Sequence, residues 1–92
     1  MKYLKVKWIH SKPEEPVLLY SELDEAHWEI RKVEVFKSGM MDFAHSEESS
    51  GTTRLGVVPV PTISEIAGDP EFEPVEITKG EFERIWSKAH GN

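Results

Sequence analysis

Trp28-Glu-Ile-Arg-Lys-Val-Glu-Val-Phe36 is the stretch on which the fold turns, because it mixes β-branched and aromatic residues with charges at near-alternating positions. Such a composition suits a pleated, half-buried surface, and it reads as a central strand. Trp28 and Ile30 share one parity, whereas Val33 and Val35 share the other. Side chains alternate along a strand, so either both faces are partly covered or a bulge near Arg31 and Lys32 shifts the register.

Working outward toward the N-terminus, Lys2 to His10 alternates, with Leu4, Val6 and Trp8 on one parity, and predicts a first strand. The turn Ser11 to Pro16 carries two prolines, and Val17-Leu-Leu-Tyr20 then gives a second strand antiparallel to the first. Ser21 to His27 is polar and reads as a loop. On the other side, Lys37-Ser-Gly39 turns the chain and Met40 to Ala44 returns as a hairpin partner. Ser46 to Thr53 contains no apolar residue and reads as a mobile loop. Arg54 to Val60 regains strand-like composition, but Pro59 and Pro61 demote its end to an edge or to irregular structure.

Two capping-box spacings follow, Thr62 with Glu65 and Thr78 with Glu81. The first opens a helix of under two turns that Gly68 to Pro70 ends, and Glu71 to Ile77 then reads as a connector. The second opens the clearest helix in the chain, with Phe82, Ile85, Trp86 and Ala89 on one face. The expectation is a single α+β domain over residues 1–92: a mainly antiparallel sheet of four to five strands with the C-terminal helix packed across one face.

A chain of 92 residues buries only about 60 to 65% of its unfolded surface, so a few large side chains must carry the core. The absence of cysteine excludes a disulfide framework and a thiolate metal site, and it suits the cytoplasm. No apolar run is long enough to span a membrane. Seventeen acidic against eleven basic residues give a formal net charge of −6, which favours a cationic partner over nucleic acid.

Several blocks stand together in order: Met1-Lys-Tyr-Leu-Lys-Val-Lys-Trp-Ile-His10, Glu15-Pro-Val-Leu-Leu-Tyr-Ser-Glu-Leu-Asp24, Trp28-Glu with Arg31-Lys-Val-Glu34, Thr53-Arg-Leu-Gly56 and Pro70-Glu-Phe-Glu-Pro74. Over nearly the whole chain they resemble a family of small bacterial proteins classed as a domain of unknown function. The resemblance implies a bacterial, stand-alone small domain and brings no catalytic residue with it. Gly80, in the first turn of the final helix, is a poorer helix former than the position favours.

No residue pattern assembles a catalytic set or a cofactor site, and the reading is a protein that is not an enzyme. His10, His27, His45 and His90 form no paired ligand spacing, and Asp42 and His45 would leave opposite faces of a strand, so no metal ligand is assigned. Between Glu47 and Glu83 nine acidic residues face only Arg54 and Lys79, a local net of −7. Glu71, Glu73 and Glu76 within it are candidate partner-binding residues. The function this suggests is binding of a basic protein, in the manner of an immunity-type antagonist of a bacterial toxin. The alternative is a small-ligand or anion-binding module using Ser49, Ser50, Gly51, Thr52, Thr53 and Arg54, which offer hydroxyls, amides and a guanidinium, although Glu47 and Glu48 would repel an anion.

Overall fold

The computed structural model describes residues 1–91. Five strands, β1 (Lys2–Trp8), β2 (Leu18–Leu23), β3 (Glu29–Val35), β4 (Met41–His45) and β5 (Phe72–Glu76), form one antiparallel sheet in the order β4-β3-β2-β1-β5. A short helix α1 (Ile63–Ala67) and the longer α2 (Lys79–Ala89) complete an α+β fold, with α2 across one face as the periodicity requires. Both capping boxes are formed, at Thr62 with Glu65 and at Thr78 with Glu81.

The deciding stretch becomes β3, which lies one place in from the edge; β2 holds the centre. Both readings of its mixed parity are realised. The register shifts where Glu22 pairs with Arg31 but Leu23 pairs with Glu29, leaving Ile30 as an extra residue, and the sheet is covered on both sides. The bulge turns Glu29 onto the face of Lys32 and Glu34, away from Arg31 and Val33.

Two segments expected to be irregular contain strand. Ser21 to Leu23 belongs to β2 and is buried, because Glu22 has an ionic partner in Arg31 and Leu23 enters the core. Glu71 to Ile77 contains β5, a strand in spite of Pro74. Ile9 donates its N–H to the Glu71 carbonyl and Ile77 to that of Tyr3, so odd-numbered residues of β5 bond to β1 and Pro74 turns its missing N–H outward.

Against α2 the sheet presents Tyr3, Val33 and Phe43, and Phe82 of α2 is fully buried among them. Trp86 lies edge-on to Phe43, with ring centroids 5.5 Å apart. Within this aromatic layer Arg31 bonds Glu22 at 2.6 Å and Glu83 at 2.5 Å, and its guanidinium stacks 4.9 Å from Phe82 and 5.0 Å from Trp86. The opposite face is divided. Over β1 and β2 it is apolar, with Leu4 and Val6 lying beside Ile66 and Phe72. Over β3 and β4 it is polar and is covered by the chain between β4 and α1.

Candidate functional site

The long segment from Ser46 to Pro61 is built upon charged side chains of β3. Glu29 accepts hydrogen bonds from the Ser21 hydroxyl at 2.8 Å and from the Gly56 amide at 2.7 Å. Lys32 donates to the Arg54 carbonyl at 3.3 Å, and the buried Thr53 hydroxyl donates to Glu34 at 2.5 Å. At the far end the Val60 amide donates to the His27 carbonyl, and the His27 ring returns a bond to the Val60 carbonyl at 3.1 Å. These contacts fix the backbone on both sides of Val57 and Val58, which are 86% and 65% exposed. The strand expected over Arg54 to Val60 is absent: Pro59 and Pro61 have no amide to donate, and the segment lies over a sheet face instead of beside an edge.

The first half of the segment closes the edge of β4. His45 and Glu48 exchange backbone bonds, the Ser50 amide donates to the Phe43 carbonyl, and the Ser50 hydroxyl accepts from the Phe43 amide at 2.9 Å while donating to Asp42 at 3.1 Å. Gly51 takes a positive φ of 56°, and the Asp42 carboxylate occupies the space a Cβ would need there. The mobile loop expected from the lack of apolar residues is thus anchored through polar atoms. Between it and β4 lies an open cleft of about 560 Å³, whose lining includes His45, Glu47, Glu48, Ser49, Arg54 and Val57.

A second cluster stands at the rim of that cleft. Nε2 of His45, at the end of β4, lies 3.6 Å from Oε1 of Glu48, and Nε2 of His90, the C-cap of α2, lies 3.3 Å from the same oxygen. Phe43 and Trp86 wall the two imidazoles on one side, with centroids 4.6 Å from His90 for Phe43 and 5.7 Å from His45 for Trp86.

A family model described as Domain of unknown function (DUF6881) matches residues 2–91. The chain belongs to this family. No curated protein and no solved structure matches it. The expected kinship with an unknown-function family therefore holds, and membership of DUF6881 assigns no residue a role.

The candidate residues fall into three settings in this DUF6881 chain. Ser50 and Thr53 turn their hydroxyls to the sheet, whereas Ser49 and Arg54 line the cleft. Arg54 uses Nη1 to brace its own loop, donating to Ser49, Gly51 and Thr53. Glu71, just before β5, and Glu73 and Glu76 within it are exposed, far from that cleft in sheet order. Glu71 accepts from the Trp8 indole at 3.1 Å, Glu73 pairs across the strands with Lys7, and Glu76, of opposite parity to Glu73, leaves by the other face. The three acids thus do not share one face of the sheet. The convergence of His45, Glu48 and His90 was not visible in sequence, since no local spacing announces a contact between positions 45 and 90. Among the described residues, no helix is long and apolar enough to cross a membrane.

Proposed function

We propose that this domain acts by binding another protein, and that the segment from Leu55 to Val60 is its contact surface. The observation that carries the reading is the pair Val57 and Val58, exposed on a backbone that Glu29, Lys32, Glu34 and His27 hold in place. Burying a valine contributes about 1.5 kcal/mol or more, and a segment already fixed loses little entropy on association. Glu47 and Glu48 beside it, and the formal net charge of −6, favour a basic partner and speed the encounter. The closest functional type is a small, non-enzymatic bacterial antagonist of the immunity kind, working on a toxin's basic surface. A cysteine-free chain suits the reducing cytoplasm in which such a protein works.

Affinity capture from bacterial lysate followed by surface plasmon resonance tests this. Replacing Val57 and Val58 by serine is expected to weaken binding at least tenfold, since 1.4 kcal/mol is a factor of ten. Charge reversal of Glu71, Glu73 and Glu76 to lysine brings the formal net charge from −6 to zero and is expected to slow association about tenfold with little change in dissociation. An unchanged affinity in the valine variant would remove the contact surface. An unchanged association rate in the lysine variant would reduce the acidity to a matter of solubility.

The cleft favours a second reading, a small-ligand module at Ser49 and Arg54, because its volume of about 560 Å³ falls within the range of ligand pockets. Titration with inorganic phosphate, followed by amide chemical shifts at Gly51 and Arg54, separates the two. Saturable shifts there would promote the cleft.

A further inference from the structure

We infer that His45, Glu48 and His90 form a binding site for a single divalent transition-metal cation of the zinc class. The ligand atoms of the three residues all lie within 4.8 Å of one another, and both imidazole nitrogens lie 3.3 to 3.6 Å from one carboxylate oxygen. Bonds of about 2.0 to 2.1 Å at a tetrahedral angle put neighbouring ligand atoms about 3.3 to 3.4 Å apart, so the two distances to Glu48 already suit a metal, and the two imidazole nitrogens, within 4.8 Å of each other, would close on it. Two imidazoles with one carboxylate select a borderline cation over magnesium or calcium, which prefer all-oxygen shells.

The surroundings suit a cation. His90 caps the C-terminal end of α2, where the helix dipole is negative, and the chain as a whole is acidic. Phe43 and Trp86 hold the rings from one side, and the exposed Glu48 leaves the other open for water as the fourth ligand. One hydrogen bond must yield. The Glu47 amide donates to Nδ1 of His45 at 3.2 Å, so in the metal-free protein the His45 proton sits on Nε2 and points toward Glu48. Metal on Nε2 moves that proton to Nδ1, and the Glu47 amide, on an exposed bend, turns aside. The site would then clasp the end of α2 to the end of β4 and the turn after it, His90 being separated from Glu48 and His45 by 42 and 45 positions in sequence.

The test is calorimetric titration of zinc into chelator-stripped full-length protein at neutral pH. One equivalent is expected to bind, at least tenfold more weakly in His45→Ala, His90→Ala and His90→Gln, with His10→Ala and His27→Ala unchanged. Zinc should raise the thermal midpoint of wild type but not of His90→Ala, cobalt should give the optical spectrum of a four-coordinate site, and magnesium should not compete. Circular dichroism shows whether each variant is folded. Because His90 is exposed, a folded His90→Gln that binds zinc as wild type does would overturn the site. Equal losses from His10→Ala would reduce the binding to adventitious metal only. Neither result bears on the valine surface, which binding to a protein partner tests separately.

Discussion

The two faces of the sheet are covered by different kinds of structure, and their side chains differ accordingly. Beneath α2, strand β3 presents Arg31 and Val33 in an aromatic layer; beneath the 46–61 segment the same strand presents Glu29, Lys32 and Glu34. A helix satisfies its own backbone, so the surface under it can be apolar. An irregular segment has amides and carbonyls left over, and the surface under it must supply partners. The polarity of half of β3 is therefore a requirement of its cover, and the bulge at Ile30 serves it by bringing Glu29 to the side where Gly56 needs an acceptor.

The comparison breaks most visibly under the helix. Phe82→Ala removes a fully buried ring in contact with Tyr3 and Arg31 and is expected to cost about 3 to 5 kcal/mol, a large part of the stability of so small a domain. Trp86→Ala should cost less, because its ring is only half-buried, although sequence periodicity treats the two alike. Urea denaturation ranks them. Equal midpoints for Phe82→Ala and wild type would mean that α2 does not close the core.

On the polar face the expected loss is smaller and more local. Glu29→Ala takes away the acceptor of both the buried Ser21 hydroxyl and the Gly56 amide, at a cost of about 1 to 3 kcal/mol. Hydrogen exchange should show faster exchange at Gly56, while Val33 keeps its protection. Uniform acceleration across the sheet would instead make Glu29 part of the global core.

Much of this contrast was legible in the chain. The split parity of Trp28 to Phe36 demanded a bulge or two covered faces, and both are present. Capping boxes placed both helices. What escaped depends on partners remote in sequence. Ser21 to Leu23 reads as a loop until Arg31 neutralises Glu22, and Phe72 to Glu76 reads as a connector until β1 offers the edge on which Pro74 is harmless. The anchoring of Ser50 and Thr53 is likewise invisible locally, since a hydroxyl bound to Asp42 or Glu34 has the same composition as one in solvent.

The smallest effect is a slope in pH, and it belongs to the Arg31 cluster on the aromatic face. Arg31 bonds to Glu22 and holds its carboxyl below the ordinary value near 4.5, partly opposed by burial and aided by the Tyr3 hydroxyl. It also lowers Glu83, while Arg31 itself is pushed further upward by both acids. A carboxylate whose folded value lies below its unfolded one binds fewer protons in the folded state, so stability rises with pH through that window. The contribution is complete above about 4.5 and is lost as pH falls through the depressed folded values. Glu22→Gln removes one of the two groups and leaves Arg31 paired with Glu83. Wild type and variant should therefore differ most at neutral pH and converge in acid, where Glu22 of the wild type has taken up its own proton. Chemical denaturation of both proteins from pH 7 to pH 3 measures the gap, and curves that stay parallel throughout would show that the Glu22–Arg31 pair holds no linkage and serves the aromatic layer only by its shape.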